Sequence, residues 1–273
     1  MTDRHEAEQR RERFARLHDT GLFVMPNAWD AGSAKLLAWL GAQAIATTSS
    51  GHAATLGRAD QQVRRDELFT HVAALVDAVD VPVSVDAERC FATDPKGVAD
   101  TVAALADLGA AGVSIEDYDP ASDAIDPLEI AVERVAAAAD AARERGVTLT
   151  ARAENHLYGI DDLDDTIRRL RAYHEAGAPV VYAPRVRRAE DLARLCLEVG
   201  APVNALLVPG MPSVPELADL GIRRVSTGGA LTFVAYGAMV EAARELLGPG
   251  TAAYLGRSLD EASRRDAFRD PSA

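Results

Sequence analysis

Residues 81–117, VPVSVDAERCFATDPKGVADTVAALADLGAAGVSIED, hold the unit from which the rest of the chain is built. A short β-branched run, Val81–Asp86, meets a polar cluster, and a helical stretch, Pro95–Leu108, stops at Gly109 before a second apolar run, Gly112–Asp117. A glycine after the last helical residue takes the left-handed cap conformation that strains other residues. Outward from this stretch, further apolar runs lie at Leu22–Met25, Ala44–Thr48, Thr148–Ala153, Val180–Ala183, Pro202–Val208 and Arg223–Ser226, making eight in all. Helical patterns follow at Gly32–Leu40, Asp66–Ala78, Pro127–Arg145, Leu163–Glu175 and Ala230–Leu247, and Arg145-Gly146, Ala176-Gly177 and Leu220-Gly221 repeat the glycine stop. Strand and helix in alternation call for a parallel sheet. Eight near-continuously apolar strands predict a closed (β/α)8 TIM barrel rather than an open sheet. A doubly wound sheet is the runner-up, but no G-x-G-x-x-G follows any strand. Two extra helices are expected, Arg4–His18 within an N-terminal segment 1–20 and Leu259–Phe268 within a C-terminal extension 248–273. No Pro/Gly/Ser linker divides the chain, so one barrel domain over 1–273 is the expectation.

The 273 residues carry 29 Lys and Arg against 42 Asp and Glu, a net charge of −13. That balance argues against nucleic acid or an anionic membrane as partner. Cys90 and Cys196 are too few for a disulfide scaffold and lack metal-type spacing. No apolar run reaches the roughly 18 residues of a membrane span. Met1–Arg16 is charged and lacks the apolar stretch of a signal peptide. The expectation is a cytoplasmic protein.

In such a barrel the active site gathers at the C-terminal strand ends. Those ends read Ser49-Ser50-Gly51-His52 after the second strand, Asp86 and Glu88 at the third, Glu116 and Asp117 at the fourth, Arg152 and Glu154 at the fifth, and Pro184 and Arg185 at the sixth, with Asn204 inside the seventh. Polar strand ends alone say little, because they meet solvent in any barrel. Three carboxylates converging on one mouth, Asp86, Glu88 and Glu116, say more: they repel, and must take up protons or bind a cation. Hard oxygen donors suit Mg²⁺, with Mn²⁺ as the alternative. Arg152 offers a planar fork for a substrate carboxylate, and the Ser50-Gly51-His52 turn offers backbone N–H groups as a small nest. Together they describe a site for a small carboxylate substrate.

The order of several pieces resembles the isocitrate lyase/phosphoenolpyruvate mutase superfamily: Met25-Pro26-Asn27-Ala28-Trp29-Asp30-Ala31-Gly32-Ser33, Ser49-Ser50-Gly51 with Leu56-Gly57-x-x-Asp60, Val85-Asp86-Ala87-Glu88, Ile115-Glu116-Asp117, Thr150-Ala151-Arg152-Ala153-Glu154-Asn155 and Gly228-Gly229-Ala230. The resemblance implies a Mg²⁺-dependent lyase that breaks a C–C bond of a small 2-oxo or 2-hydroxy di- or tricarboxylate through a pyruvate-type enolate. It implies a homo-oligomer, dimer or tetramer, exchanging a C-terminal helix. It places Asp86, Glu88 and Glu116 around the metal, Asp60 near it through water, Arg152 and the Ser50-Gly51-His52 amides on the substrate, and Asn204 at a lyase-branch asparagine; Asp60, Glu116 and Arg152 are the catalytic candidates.

Several positions depart from the family pattern. Isocitrate and methylisocitrate lyases follow Glu-Asp with Lys-Lys/Arg-Cys-Gly-His, whereas this chain reads Tyr118-Asp119-Pro120-Ala121-Ser122-Asp123. The phosphonomutases have a lysine there, which argues against P–C chemistry. The expected Gly-Tyr/Phe-Gly turn reads Cys90-Phe91-Ala92, so a reshaped turn is expected, since only glycine takes positive φ freely. Arg185 stands where many relatives have glycine, adding a cation at the mouth and a candidate substrate contact. Cys90 and His156 are alternative acid/base candidates; Glu154 reads as the partner holding Arg152. His5, His18, His71 and His174 read as solvated or capping residues, and Arg10–Arg13 as a solvated helix face. The alternatives to the lyase are oxaloacetate decarboxylation or hydrolysis, phosphonopyruvate-type P–C chemistry, or a repurposed barrel with altered chemistry or binding only.

Overall fold

Short apolar runs covered on both faces form parallel strands, and all eight expected runs do so. The structure, a computed structural model, describes residues 4–269. The strands are Phe23–Met25, Ile45–Ala46, Val83–Asp86, Gly112–Glu116, Thr148–Arg152, Val180–Tyr182, Val203–Leu206 and Arg224–Ser226. Each pairs in parallel with the next, and the last pairs with the first. The ring closes between the first two through a single bridge, where Ala28 N–H donates to Ala46 O at 2.7 Å and Ala46 N–H to Pro26 O at 2.9 Å. Asn27 locks that seam. Its Nδ2 donates to Thr47 O (2.6 Å), and its Oδ1 accepts from the N–H groups of Thr227 and Gly228 (2.9 Å each), tying three strand ends together.

Three of the outer helices start at aspartate side-chain caps. Asp30 accepts from Ser33 N–H at 2.7 Å ahead of Ala31–Trp39, Asp94 from Gly97 N–H at 2.9 Å ahead of Pro95–Asp107, and Asp162 from Asp165 N–H at 2.9 Å ahead of Leu163–Glu175. The inner faces of the outer helices bury Leu105, Leu170, Tyr173, Leu192 and Leu195 against strand residues such as Val85, Val113, Ile115, Leu149 and Val225. Each such side chain is worth about 1.5–3 kcal/mol of burial.

The N-terminal helix, Arg4–Arg16, plugs the lower end of the barrel. Phe14 is wholly buried, so close beneath Gly112 that a Cβ there would stand 2.5 Å from its ring. The arginines read as a solvated face instead donate to backbone carbonyls: Arg10 to Val76 O (3.0 Å), Arg11 to Arg145 O (2.9 Å) and Arg13 to Asp80 O (2.7 Å). Long arginine stems can lie along apolar surface while their heads satisfy carbonyls left unpaired at helix ends. Two of the histidines read as solvated or capping, His18 and His71, are buried, and His18 Nδ1 meets Phe14 O at 3.0 Å near the end of the first helix.

Other differences lie in the short elements. Ser49–Thr55, Ala189–Val199 and Val214–Asp219 are helices, and the short acidic loop is a two-residue hairpin, Tyr118–Asp119 with Ala124–Ile125. The C-terminal extension holds a 3-10 turn, Ala253–Arg257, and a helix of Glu261–Ala267, shorter than expected. Residues 1–3 and 270–273 of the two terminal segments lie outside the described residues. Among the described residues no helix is long and apolar enough to cross a membrane. The helix Ala230–Leu247 buries only Thr232, and leaves Phe233, Val234, Met239, Leu246 and Leu247 exposed.

Candidate active site

The strand ends surround a cavity of about 340 Å³. Of the side chains singled out in the sequence, Ser50, Asp60, Asp86, Arg152, Arg185 and Asn204 line it. Arg152 is the hub. It leaves the fifth strand with its Nε donating to Glu154 Oε1 (2.7 Å) and its Nη1 to Asp86 Oδ1 (2.6 Å), and its Nη2 stands 3.2 Å from Glu116 Oε2. The register makes this local: Glu116 pairs with Arg152 across the fourth and fifth strands. Burial opposes the Arg152 charge, and Glu154, Glu116 and Asp86 together more than offset it. Asp86 is fixed further by Ser49 N–H at its Oδ2 (3.1 Å). Tyr182 closes the other face of the guanidinium, 5.3 Å from ring centre.

Three carboxylates around one guanidinium leave negative charge in excess. Burial, then Asp86 and Asp60, push Glu88 up to about 8. Burial also pushes Glu116 well above the usual carboxylate range, against the pull of Arg152. Asp60 sits at the rim, raised by its crowded wall and then by Asp86. Gln61, which the sequence gave no reason to single out, reaches in to donate to Glu116 Oε1 at 2.8 Å.

A divalent cation fits this donor set by chemistry. Asp86, Glu88 and Glu116 are hard oxygen donors, and Glu88 Oε1 is buried without a hydrogen-bond partner. Burial favours the protonated form of Glu88 and Glu116, a preference that a bound cation would reverse. Among the described residues, no three His, Cys, Asp or Glu side chains already stand grouped as a cage. Asp86 and Glu116 are closed on Arg152 instead.

The Ser50-Gly51-His52 segment is a correction. It lies within the helix Ser49–Thr55, capped by Thr48, rather than forming an open turn. Gly51 N–H donates to Thr48 Oγ1 (3.2 Å) and His52 N–H to Thr48 O (2.9 Å), so two of the three expected amide donors are already used. Gly51 is needed for close approach, because a Cβ there would stand 2.5 Å from both Thr232 Oγ1 and Thr48 Cγ2. His52 turns away from the cavity and stacks on His71, ring centres 3.8 Å apart. Burial lowers both pKa values, that of His71 to about 3, so both rings are neutral at pH 7.

The turn beyond the third strand keeps left-handed backbone without glycine. Glu88, Cys90 and Phe91 have φ of 48°, 58° and 54°. A clamp holds it there. The almost fully buried Arg134 donates to Arg89 O (2.7 Å) and Ala92 O (2.8 Å), Thr101 Oγ1 donates to Cys90 O (2.9 Å), and Arg89 forks onto Asp126. Cys90 is wholly buried, and burial pushes its thiol up to about 12, which removes it as an acid/base group at the mouth. His156 also lies off the cavity, its Nδ1 3.3 Å from Asp161.

Asn204 reaches the cavity wall with its amide already engaged. Its Oδ1 accepts from Arg224 Nε and its Nδ2 donates to Ser226 Oγ (2.9 Å each). Arg224 itself was missed. It is buried, and it also donates to Thr150 Oγ1 (3.1 Å) and meets His18 Nε2 (3.2 Å). A charged residue opening an apolar strand was the signal available. The hairpin that follows Asp117 packs Tyr118 flat on Tyr158, ring centres 3.6 Å apart.

A protein-family model described as phosphoenolpyruvate phosphomutase matches residues 14–247. A solved structure from Burkholderia cenocepacia J2315, described as a lyase/mutase, superposes with a TM-score of 0.94 at 45% identity, covering 98% of each chain. A Mycobacterium tuberculosis H37Rv protein without an assigned function is 37% identical over 79% of this chain and 81% of its own. The 2-methylisocitrate lyase of Escherichia coli K12 is 31% identical over 64% of this chain and 62% of its own.

Proposed function

Because the chain belongs to the phosphoenolpyruvate phosphomutase family, within the isocitrate lyase/phosphoenolpyruvate mutase superfamily, we propose that it is a cation-dependent lyase. Its substrate is a small 2-oxo or 2-hydroxy di- or tricarboxylate, cleaved at a C–C bond next to the 2-oxo acid unit. The observation that supports this most is Arg152 held by Asp86, Glu116 and Glu154 at the cavity, together with a buried Glu88 whose Oε1 has no hydrogen-bond partner.

Asp86, Glu88 and Glu116 would hold Mg²⁺ or Mn²⁺, which when bound supplies Lewis-acid stabilisation of a developing enolate oxygen. The chain's own residues do the rest. Arg152, fixed on three sides, presents its guanidinium to a substrate carboxylate without reorganising. Ser50 borders the same space, and Asp60 at the rim is placed to order a water beside the acids. Phe233 and Leu206 give the cavity an apolar wall.

The departures narrow the reaction. With Cys90 sealed in the core and a tyrosine hairpin after Asp117, no cysteine–histidine pair serves the mouth, which argues against isocitrate or methylisocitrate cleavage. Decarboxylation or hydrolysis of an oxaloacetate-type acid is the second reading, favoured by the same replacement, and the products tell the two apart. The exposed apolar face of Ala230–Leu247 supports a homo-oligomer as the working assembly. The test is a panel of 2-oxo and 2-hydroxy acids with Mg²⁺, assayed for turnover in the wild type, Asp86→Ala and Arg152→Ala. Turnover is expected in the wild type and loss of at least a hundredfold in each variant. Unchanged turnover in both variants would sink the assignment.

A further inference from the structure

The cavity is lined by three arginines, and two of them are already committed. Arg152 is ion-paired to Asp86, Glu116 and Glu154, one contact per nitrogen, which leaves one N–H on each terminal nitrogen for a ligand. Arg224 is buried and bonded to Asn204, Thr150 and His18. Arg185 is different: it borders the same cavity, is exposed, and has no ion pair or hydrogen bond among the described residues.

Its backbone is also unusual. Arg185 has φ of 67°, left-handed for a residue that gains nothing from it, between the buried Pro184 and Val186. Glycine would take that conformation freely. A strained residue persists only where its surroundings over-determine it, and such residues cluster at ligand-binding positions. The buried flanks fix the direction in which the side chain leaves the chain, toward the mouth. Arg185 thus sets an unpaired cation at the cavity of a protein of net charge −13, while the nearby Arg188 is engaged by Asp191 and Glu190. Local positive charge at the entrance of an acidic protein attracts anions and orients them on arrival.

We propose that Arg185 reads the distal carboxylate of a 2-oxo dicarboxylate whose 2-oxo acid end lies at Arg152 and Asp86. The inference rests on the lyase reading of this cavity and adds the second charge of the substrate. A guanidinium fork suits a carboxylate, pairing with both oxygens at once. Monocarboxylic 2-oxo acids leave Arg185 without a partner and are discriminated against on that account.

The experiment is calorimetry in the presence of Mg²⁺ with two probes. Oxalate has no distal group, whereas 3,3-difluorooxaloacetate has one. Arg185→Gly removes the charge and relieves the left-handed strain, so it folds, as a thermal melt checks. It is expected to weaken 3,3-difluorooxaloacetate at least tenfold and leave oxalate within twofold, with Arg185→Lys restoring part of the loss. Oxalate binding to the wild type with 3,3-difluorooxaloacetate unaffected by Arg185→Gly overturns the inference alone, as does an equal loss for both probes. No oxalate binding to the wild type overturns the lyase reading, and the inference with it.

Discussion

Replacing Arg134 by methionine tests whether the glycine-free turn is held by a clamp. Arg134 is 2% exposed, donates to Arg89 O and Ala92 O at 2.7 and 2.8 Å, and places its Nε 3.6 Å from Asp126 Oδ2. The two carbonyls bracket Cys90 and Phe91, both at positive φ. Left-handed backbone at a non-glycine residue costs about 1–2 kcal/mol, so the pair stores about 2–4 kcal/mol that something must offset. Methionine keeps an unbranched apolar stem and removes every donor. Removing one partner of a buried ion pair costs about 3–5 kcal/mol. Asp126 keeps its bidentate bond to Arg89, which places the expected loss at the lower end, about 3 kcal/mol. For a chain of this size each kcal/mol is about 2–4 °C, so Tm falls by about 6–12 °C. Urea unfolding followed by circular dichroism measures the same loss independently. Glu88 rides on this turn and accepts Glu116 N–H at its carbonyl (3.1 Å), so divalent-cation affinity falls as well. An Arg134→Met protein within about 1 kcal/mol of wild type would refute the clamp.

Two further outcomes follow from the same geometry. Glu88 has its pKa raised from 4.5 to about 8, so between those values the unfolded chain gives up a proton that the folded chain keeps. The cation-free protein therefore loses stability as pH rises through that window, at up to about 1.4 kcal/mol per pH unit from this group. Glu88→Gln removes that contribution; urea titrations across the window in chelator check it, and an unchanged slope contradicts it. The exposed helix Ala230–Leu247 predicts an oligomer by light scattering, shifted toward smaller species by Val234→Asp with Met239→Asp; a wild-type monomer contradicts it.

The barrel was legible because its signals are periodic and local. Apolar runs recur eight times, with aspartate caps and glycine stops between several of them, and the helices Leu163–Glu175 and Ala230–Leu247 begin and end where the pattern places them. The acids and Arg152 were legible because strand ends converge in any such barrel. What escaped depends on contacts distant in sequence. Nothing near Cys90 announces that Arg134, 44 positions away, holds its turn in a glycine conformation. His18 and His71 look like surface residues until Arg224 and His52 are brought against them. The Ser50-Gly51-His52 segment reads as a turn because it is rich in small residues, and Thr48 converts it to a helix by capping it. Tyr118–Ile125 is too short for a strand pattern to register, and its hairpin rests on Tyr118 stacking against Tyr158.

The central claim is that the carboxylates around Arg152 form a cation-dependent site for a 2-oxo acid enolate. Titrating oxalate, a flat mimic of that enolate, into the protein by calorimetry with and without Mg²⁺ tests it most directly. Binding that appears only with Mg²⁺, and disappears in Asp86→Ala, is the predicted result. Absence of oxalate binding in both conditions, or binding indifferent to the cation, would contradict it.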